Sequence, residues 1–243
     1  FRGKVDEVRI YNRALSAAEV TELHEEGNPK LDSGQVASYS FSGNANDESV
    51  NRHNNGTVIG ATLTAGRVGD ANAAYAFDGI DDRVDIDDIG FPMGNAKRTI
   101  AGWVKVDPTA TGDNTILFYG QRSAGKGFVL GIDGTGSLEV NSYGGVSELD
   151  SNVTVNDGQW HHVAFTSDGS GINLYTDGVL SGSLYEGTPP TKLSLSGSSD
   201  TVLKQWTTGE GANKHWYQGI ISETAEGEGG AWTWAEAKSI AEA

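Results

Sequence analysis

Short runs of alternating apolar and polar residues, punctuated by Gly, Asn, Asp and Ser, recur through most of this chain. A period of two places successive side chains on opposite faces, so each run reads as a half-buried β-strand. In Val36–Phe41, Tyr39 and Phe41 share a face. In Arg83–Asp87, Val84 and Ile86 point one way while Arg83, Asp85 and Asp87 point the other. Ile100, Gly102, Val104 and Val106 form one face of a longer strand, with Trp103 and Lys105 on the other. Further strands are predicted over 116–119, 128–132, 138–140, 161–166, 172–176 and 193–202. Asp133-Gly134 and Asp177-Gly178 fall between such runs as hairpin turns. With 34 glycines, 5 prolines and no cysteine, the pattern gives an all-β fold of two packed antiparallel sheets without disulfides.

Two short helices are predicted to cap this sandwich. Leu15-Ser16-Ala17-Ala18-Glu19-Val20 carries a capping box, Ser16 with Glu19, and a Leu15–Val20 staple. Gly27 is placed to end that helix. Thr233 and Glu236 repeat the box near the other end. Gly3-Lys4-Val5-Asp6-Glu7 precedes the first helix, and Gly219-Ile220-Ile221-Ser222-Glu223 precedes the second. The chain thus carries two domain endings and one domain body. Residues 1–27 read as the strand–helix ending of a preceding repeat, 28–35 as a linker and 36–243 as the domain. The opening at Phe1 reads as the start of an excised fragment.

The charge balance narrows the partners. Acidic residues outnumber basic ones 33 to 17. Nucleic acid needs a basic footprint, and an anionic membrane repels such a chain, so neither is an expected partner. No apolar run reaches the length of a membrane span. Carboxylate and amide oxygens are what a hard cation such as calcium takes.

Several motifs together resemble bacterial laminin-G-like domains of the concanavalin A-like lectin/glucanase superfamily. Phe1–Ser16 is similar to the closing strand and helix of such domains. Phe41-Ser42-Gly43-Asn44-Ala45-Asn46-Asp47, followed by Asn54-Asn55-Gly56-Thr57-Val58, resembles their opening. Tyr75–Asp82, Thr99–Lys105, Asp157–Phe165 and Leu174–Gly178 follow in family order. The resemblance implies a jelly-roll sandwich, secretion or a cell-surface location, tandem arrays with neighbouring repeats, and binding of glycans or surface proteins with a calcium ion. It also implies that the Asn44/Asn46/Asp47 loop meets the acidic residue of the closing strand. That residue is Asp6 in the first ending. In the second, Ser222 stands at the matching position and Glu223 is the neighbouring acid.

The candidate sites follow. Asn44, Asn46, Asp47, Asp6 and Glu223 are the candidate calcium ligands; Asx-turns are the alternative role for the loop residues. Trp103, Trp206 and Trp216 are the candidate sugar-stacking aromatics, Trp103 because it faces away from the Ile100/Val104 set. Glycoside cleavage needs two carboxylates across the bond. Asp85-x-Asp87 is the nearest such pair, but it lacks a further Glu in step and reads as an acidic edge. His161-His162 puts its rings on opposite faces, which argues against a metal pair. The expected function is non-catalytic recognition of carbohydrate, or adhesion. A structural spacer and a divergent polysaccharide-cleaving enzyme are the alternatives. Residues 4–11 are expected to dock as an added strand at a sheet edge.

Overall fold

The computed structural model describes residues 1–26, 31–120, 127–142, 147–185, 203–205 and 216–218. It divides into two compact units, Phe1–Ser198 and Ser199–Ala243. In the second unit, β15 (Leu203–Gln205) and β16 (Trp216–Gln218) pair antiparallel, with Gln205 opposite Trp216.

The first unit is a sandwich of antiparallel sheets. Its larger sheet takes in β1 (Arg2–Tyr11), β2 (Gln35–Tyr39), β4 (Thr62–Thr64), β5 (Ala74–Asp78), β7 (Arg98–Val106), β12 (His161–Ser167), β13 (Gly171–Thr176) and β14 (Val179–Tyr185). Its order is β14-β13-β12-β7-β1-β5-β4, with β2 also on β1. The second sheet has four strands: β8 (Asn114–Gly120), β9 (Gly127–Ile132), β10 (Ser137–Ser142) and β11 (Ser147–Thr154), in the order β11-β10-β9-β8. β3 (Thr57–Ile59) and β6 (Arg83–Asp85) form a small ribbon.

Alternation fills the space between the sheets. Ile100, Val104 and Val106 meet Phe128, Leu130, Ile132, Leu138 and Val140 in one core, all at most 2% exposed. Phe128 and Phe165, on opposite sheets, meet at a tilt of 56° with ring centroids 5.0 Å apart. Burying each such ring stabilises the fold by roughly 2–3 kcal/mol. The turn after β13 is the two-residue type that Asp177-Gly178 predicts, with φ of 51° and 75°.

Helix α1 (Ala17–Glu26) lies on the other face of the larger sheet. Leu15, Val20 and Leu23 pack there on Ala101, Ala164 and Tyr175, and the two alanines leave room for the helix. The capping box forms as predicted. The Ser16 amide donates to Glu19 Oε2 at 2.8 Å, and the Glu19 amide donates to Ser16 Oγ at 3.3 Å. The Arg13 guanidinium, 2.8 Å away, holds the Glu19 carboxyl down at about 2.

The first strand departs from expectation. β1 does not sit at an edge. It is flanked by β7 on one side, and by β5 and then β2 on the other. Val5, Ile10 and Tyr11 are buried on both of its faces, so an edge position would leave more apolar surface wet than a central one. Residues 1–26 and the sandwich body therefore belong to one compact unit. The predicted strand over 193–202 and the second helix lie outside the described residues.

Candidate functional site

The Asn44–Asp47 loop is held by turn chemistry. Asn44 Oδ1 accepts the Asn46 amide at 2.8 Å, an Asx-turn. Asp47 is 2% exposed, and its carboxylate accepts the backbone amides of Ser38, Ser49 and Asn54 at 3.0, 2.9 and 3.2 Å. Burial pushes its pKa up, but those hydrogen bonds outweigh burial and hold it below 3.8. Asp6, 4% exposed, accepts the Arg67 amide at 3.1 Å instead. The two acids brace different segments, Asp47 through both carboxylate oxygens and Asp6 through Oδ2. Glu223 lies outside the described residues.

Trp103 is buried as well. It is 9% exposed, with the Arg67 guanidinium 4.7 Å from one ring and His24 of α1 stacked at 5.4 Å. His162 meets it edge-on. The sequence places Trp103 on the correct face, but α1 covers that face, so the ring is not offered to a sugar. Trp216 lies in β16 and Trp206 lies outside the described residues.

The described pocket is formed where β1 begins. Arg2, Asp78, Gly79, Ile80, Thr109, Ala110, Thr111 and Asn114 line a half-open depression of about 360 Å³. Local turns shape its walls: Asp78 Oδ1 accepts the Ile80 amide, and Asp107 Oδ1 accepts the Thr109 amide, each at 2.8 Å. Arg2 is fixed by Asp107 at 3.0 Å, and its amide donates to Asn114 Oδ1 at 3.3 Å. Ile80 stands 86% exposed at the rim. Guanidinium, amide, hydroxyl and carboxylate groups thus line one open depression beside an apolar side chain. Next to it, Asp78, Asp81 and Asp82 bring carboxylate oxygens within 4.8 Å of one another. Sequence reasoning missed this pocket because its walls come from three separate stretches. The Asp78-x-Ile80 and Asp107-x-Thr109 turns are the local signal it leaves.

The laminin G family model described as the concanavalin A-like lectin/glucanases superfamily matches residues 78–225. The chain belongs to this superfamily. None of the curated proteins compared with it matches. The superfamily name covers both sugar binding and sugar cleavage, so carboxylate placement becomes the question for a concanavalin A-like sandwich. Asp85 is exposed and paired to Arg83 at 3.1 Å, so it is an edge acid. On β10, however, Glu139 sits directly opposite Asp150 of β11. It is 6% exposed, turned away from the core that Leu138 and Val140 enter. Burial, with Asp113 and Asp150 nearby, pushes its pKa above 4.5. Cross-strand partners of a long-range sheet leave no spacing signature. Val129 and Asn141 share the same face, two residues along their strands.

Proposed function

We propose that the chain is a non-catalytic carbohydrate-recognition module of a secreted or surface protein, working beside neighbouring repeats. The pocket at Arg2, Ile80 and Asn114 carries this reading. A volume of about 360 Å³ falls at the small end of ligand pockets. It suits one or two sugar residues at the end of a glycan. A sugar presents hydroxyls that need both donors and acceptors, and the walls supply both. It also presents C–H faces, and Ile80 gives them an apolar partner. Family membership supports the reading at the level of lectin-like folds.

A glycan array followed by titration tests it. Arg2→Ala and Ile80→Ser alter exposed side chains and should leave the melting temperature within a few degrees while weakening the best glycan at least tenfold. The reading fails if no glycan binds, or if both variants bind as well as the parent.

Glu139 and Asp150 support a second reading, a polysaccharide-cleaving site. They are cross-strand partners, and glycoside cleavage uses two neighbouring carboxyl groups, one of them held protonated by a raised pKa. Release of reducing ends from a polysaccharide panel, lost in Glu139→Gln, would replace the first reading with this one.

A further inference from the structure

Strand β11 breaks its pairing with β10 at one place. Thr154 stands opposite Ser137 and Asp150 opposite Glu139, so residues 151–153 face the single residue Leu138. The extra residues form a bulge, and Ser151 holds it. Its hydroxyl accepts the Leu138 amide at 3.1 Å, a bond that a backbone carbonyl takes in a regular ladder, and donates to the Val153 carbonyl at 2.8 Å. Ser151 is buried, whereas Asn152 beside it is exposed. Among the described residues, no hydrogen bond engages the Asn152 carboxamide. Asn152-Val153-Thr154 is also an Asn-x-Thr triplet, the pattern that marks an acceptor for asparagine-linked glycosylation.

We propose that Asn152 is a glycan acceptor, modified by a transferase that draws on an oligosaccharide carried by a lipid diphosphate. In that transfer, Nδ2 of Asn152 bonds to the anomeric carbon of the first sugar. The bond from that carbon to the diphosphate oxygen breaks, and the lipid diphosphate leaves with the electron pair. One amide proton passes to a base of the transferase. Nothing is oxidised or reduced. Asp150 and Thr154 are exposed on either side of the acceptor. A transferase that holds a diphosphate is basic there, and Asp150 offers it a carboxylate to grip.

The chain's other triplet, Asn55-Gly56-Thr57, shows what the bulge adds. Asn55 Oδ1 accepts the Asp47 amide at 2.9 Å, and the Gly56 amide donates to the Ala45 carbonyl at 2.7 Å. Gly56 lies so close to Val84 that a Cβ there would overlap it. That triplet is tied into the Asn44–Asp47 loop, and its carboxamide is committed. The Asn152 carboxamide is free. β11 is also an end strand of its sheet. A branched sugar there, beside the 38% exposed Val153, would keep that strand from pairing with another chain.

The proposal rests on the secreted location proposed above and not on sugar binding. Its test reads mass, so the two readings fail separately. The full folded chain is incubated with a purified asparagine-linked oligosaccharyltransferase and its lipid-diphosphate donor. A free peptide of residues 149–155 in the same mixture shows that the enzyme accepts the sequence. Intact mass should rise by one oligosaccharide per chain, and peptide mapping should place it on Asn152. Asn152→Gln and Thr154→Ala should abolish the gain, and Thr154→Ser and Asn55→Gln should keep it. Asn152→Gln alters an exposed side chain, so its melting temperature should match the parent's. No mass gain on the folded chain while the peptide is modified, or a gain that maps to Asn55, overturns the proposal.

Discussion

Two outward faces of this sandwich carry acids and aromatics, and they differ in what lies over them. On the larger sheet, Asp6, Trp103 and His162 stand in one row across β1, β7 and β12. Arg67 and His24 close over them, and Glu7 pairs with Arg67. On the four-stranded sheet, Glu139, Asn141 and Asp150 share a face with Val129, and no Lys or Arg occurs on β8 to β11. The same alternation made both faces. The first is closed by a capped helix and a guanidinium, so its polar groups hold the fold together. The second keeps an acidic character without basic side chains of its own strands. Residue type alone does not separate the two faces; the partners packed around each acid do, basic and aromatic for Asp6 and acidic for Glu139.

Replacing Trp103 tests the closed face hardest. Removal of a buried aromatic costs about 3–5 kcal/mol. Trp103→Ala should lower the melting temperature by about 10 °C or more and leave the affinity of the Arg2/Ile80 pocket within twofold for the folded fraction. A variant that melts normally but loses glycan binding would reverse the comparison.

Asp47 is next. Three backbone amides lose their acceptor in Asp47→Ala, a loss of about 3 kcal/mol, or about 6–12 °C. The same drop is expected in calcium and in chelator, because the carboxylate braces a loop. A drop seen with calcium alone would return this acid to a metal shell.

These residues show which parts of the molecule were legible in sequence. The Ser16–Glu19 box and the Asp177-Gly178 turn were read correctly because each is decided within a few residues. The side on which Trp103 lies was legible from alternation. That α1 would lie on that side was not, since nothing local ties His24 to Trp103. That Asp47 would accept the amides of Ser38, Ser49 and Asn54 was not legible, because oxygen-rich loops that hold a cation and loops that satisfy amides share a composition. β11 was missed because Ser147–Thr154 is mostly polar and pairs with register shifts. The pocket was missed because Arg2, Asp78 and Asn114 meet only in the fold.

Within the closed face, Asp6 gives a pH signature. Burial lifts its folded-state pKa to about 6, against an ordinary value of 3.8, despite the Arg67 amide that pulls it down. The folded protein then binds more protons than the unfolded chain between about pH 4 and 6, and stability falls as pH rises through that window. Asp6→Asn should stabilise the protein at pH 7.5 by about 1–2 kcal/mol, and by nothing at pH 3.5, where Asp6 is protonated in the folded protein and mostly so in the unfolded chain. Thermal melts of both proteins at the two pH values check this. Destabilisation at pH 7.5 would mean that the Arg67 charge matters more than burial, and that the face is held by an ion pair.

The smallest expected effect separates two adjacent histidines of β12. His162 lies in the closed face, 2% exposed, and burial with His24 nearby drives its pKa to about 3. His161 points the other way, with Nδ1 2.8 Å from Asp177 and Nε2 3.1 Å from Asp157. Burial lowers its pKa, but the two carboxylates outweigh burial and raise it above 6.5. A raised folded-state value means that His161 adds stability in full below pH 6.5 and loses it as pH rises through the folded-state pKa. The site is half-buried and partly screened, so the contribution is about 1 kcal/mol. His161→Gln should cost about 2–4 °C at pH 5.5 and almost nothing at pH 9. An equal loss at both values would show that the ring acts through packing, and that the charge contrast between the two histidines has no consequence for the fold.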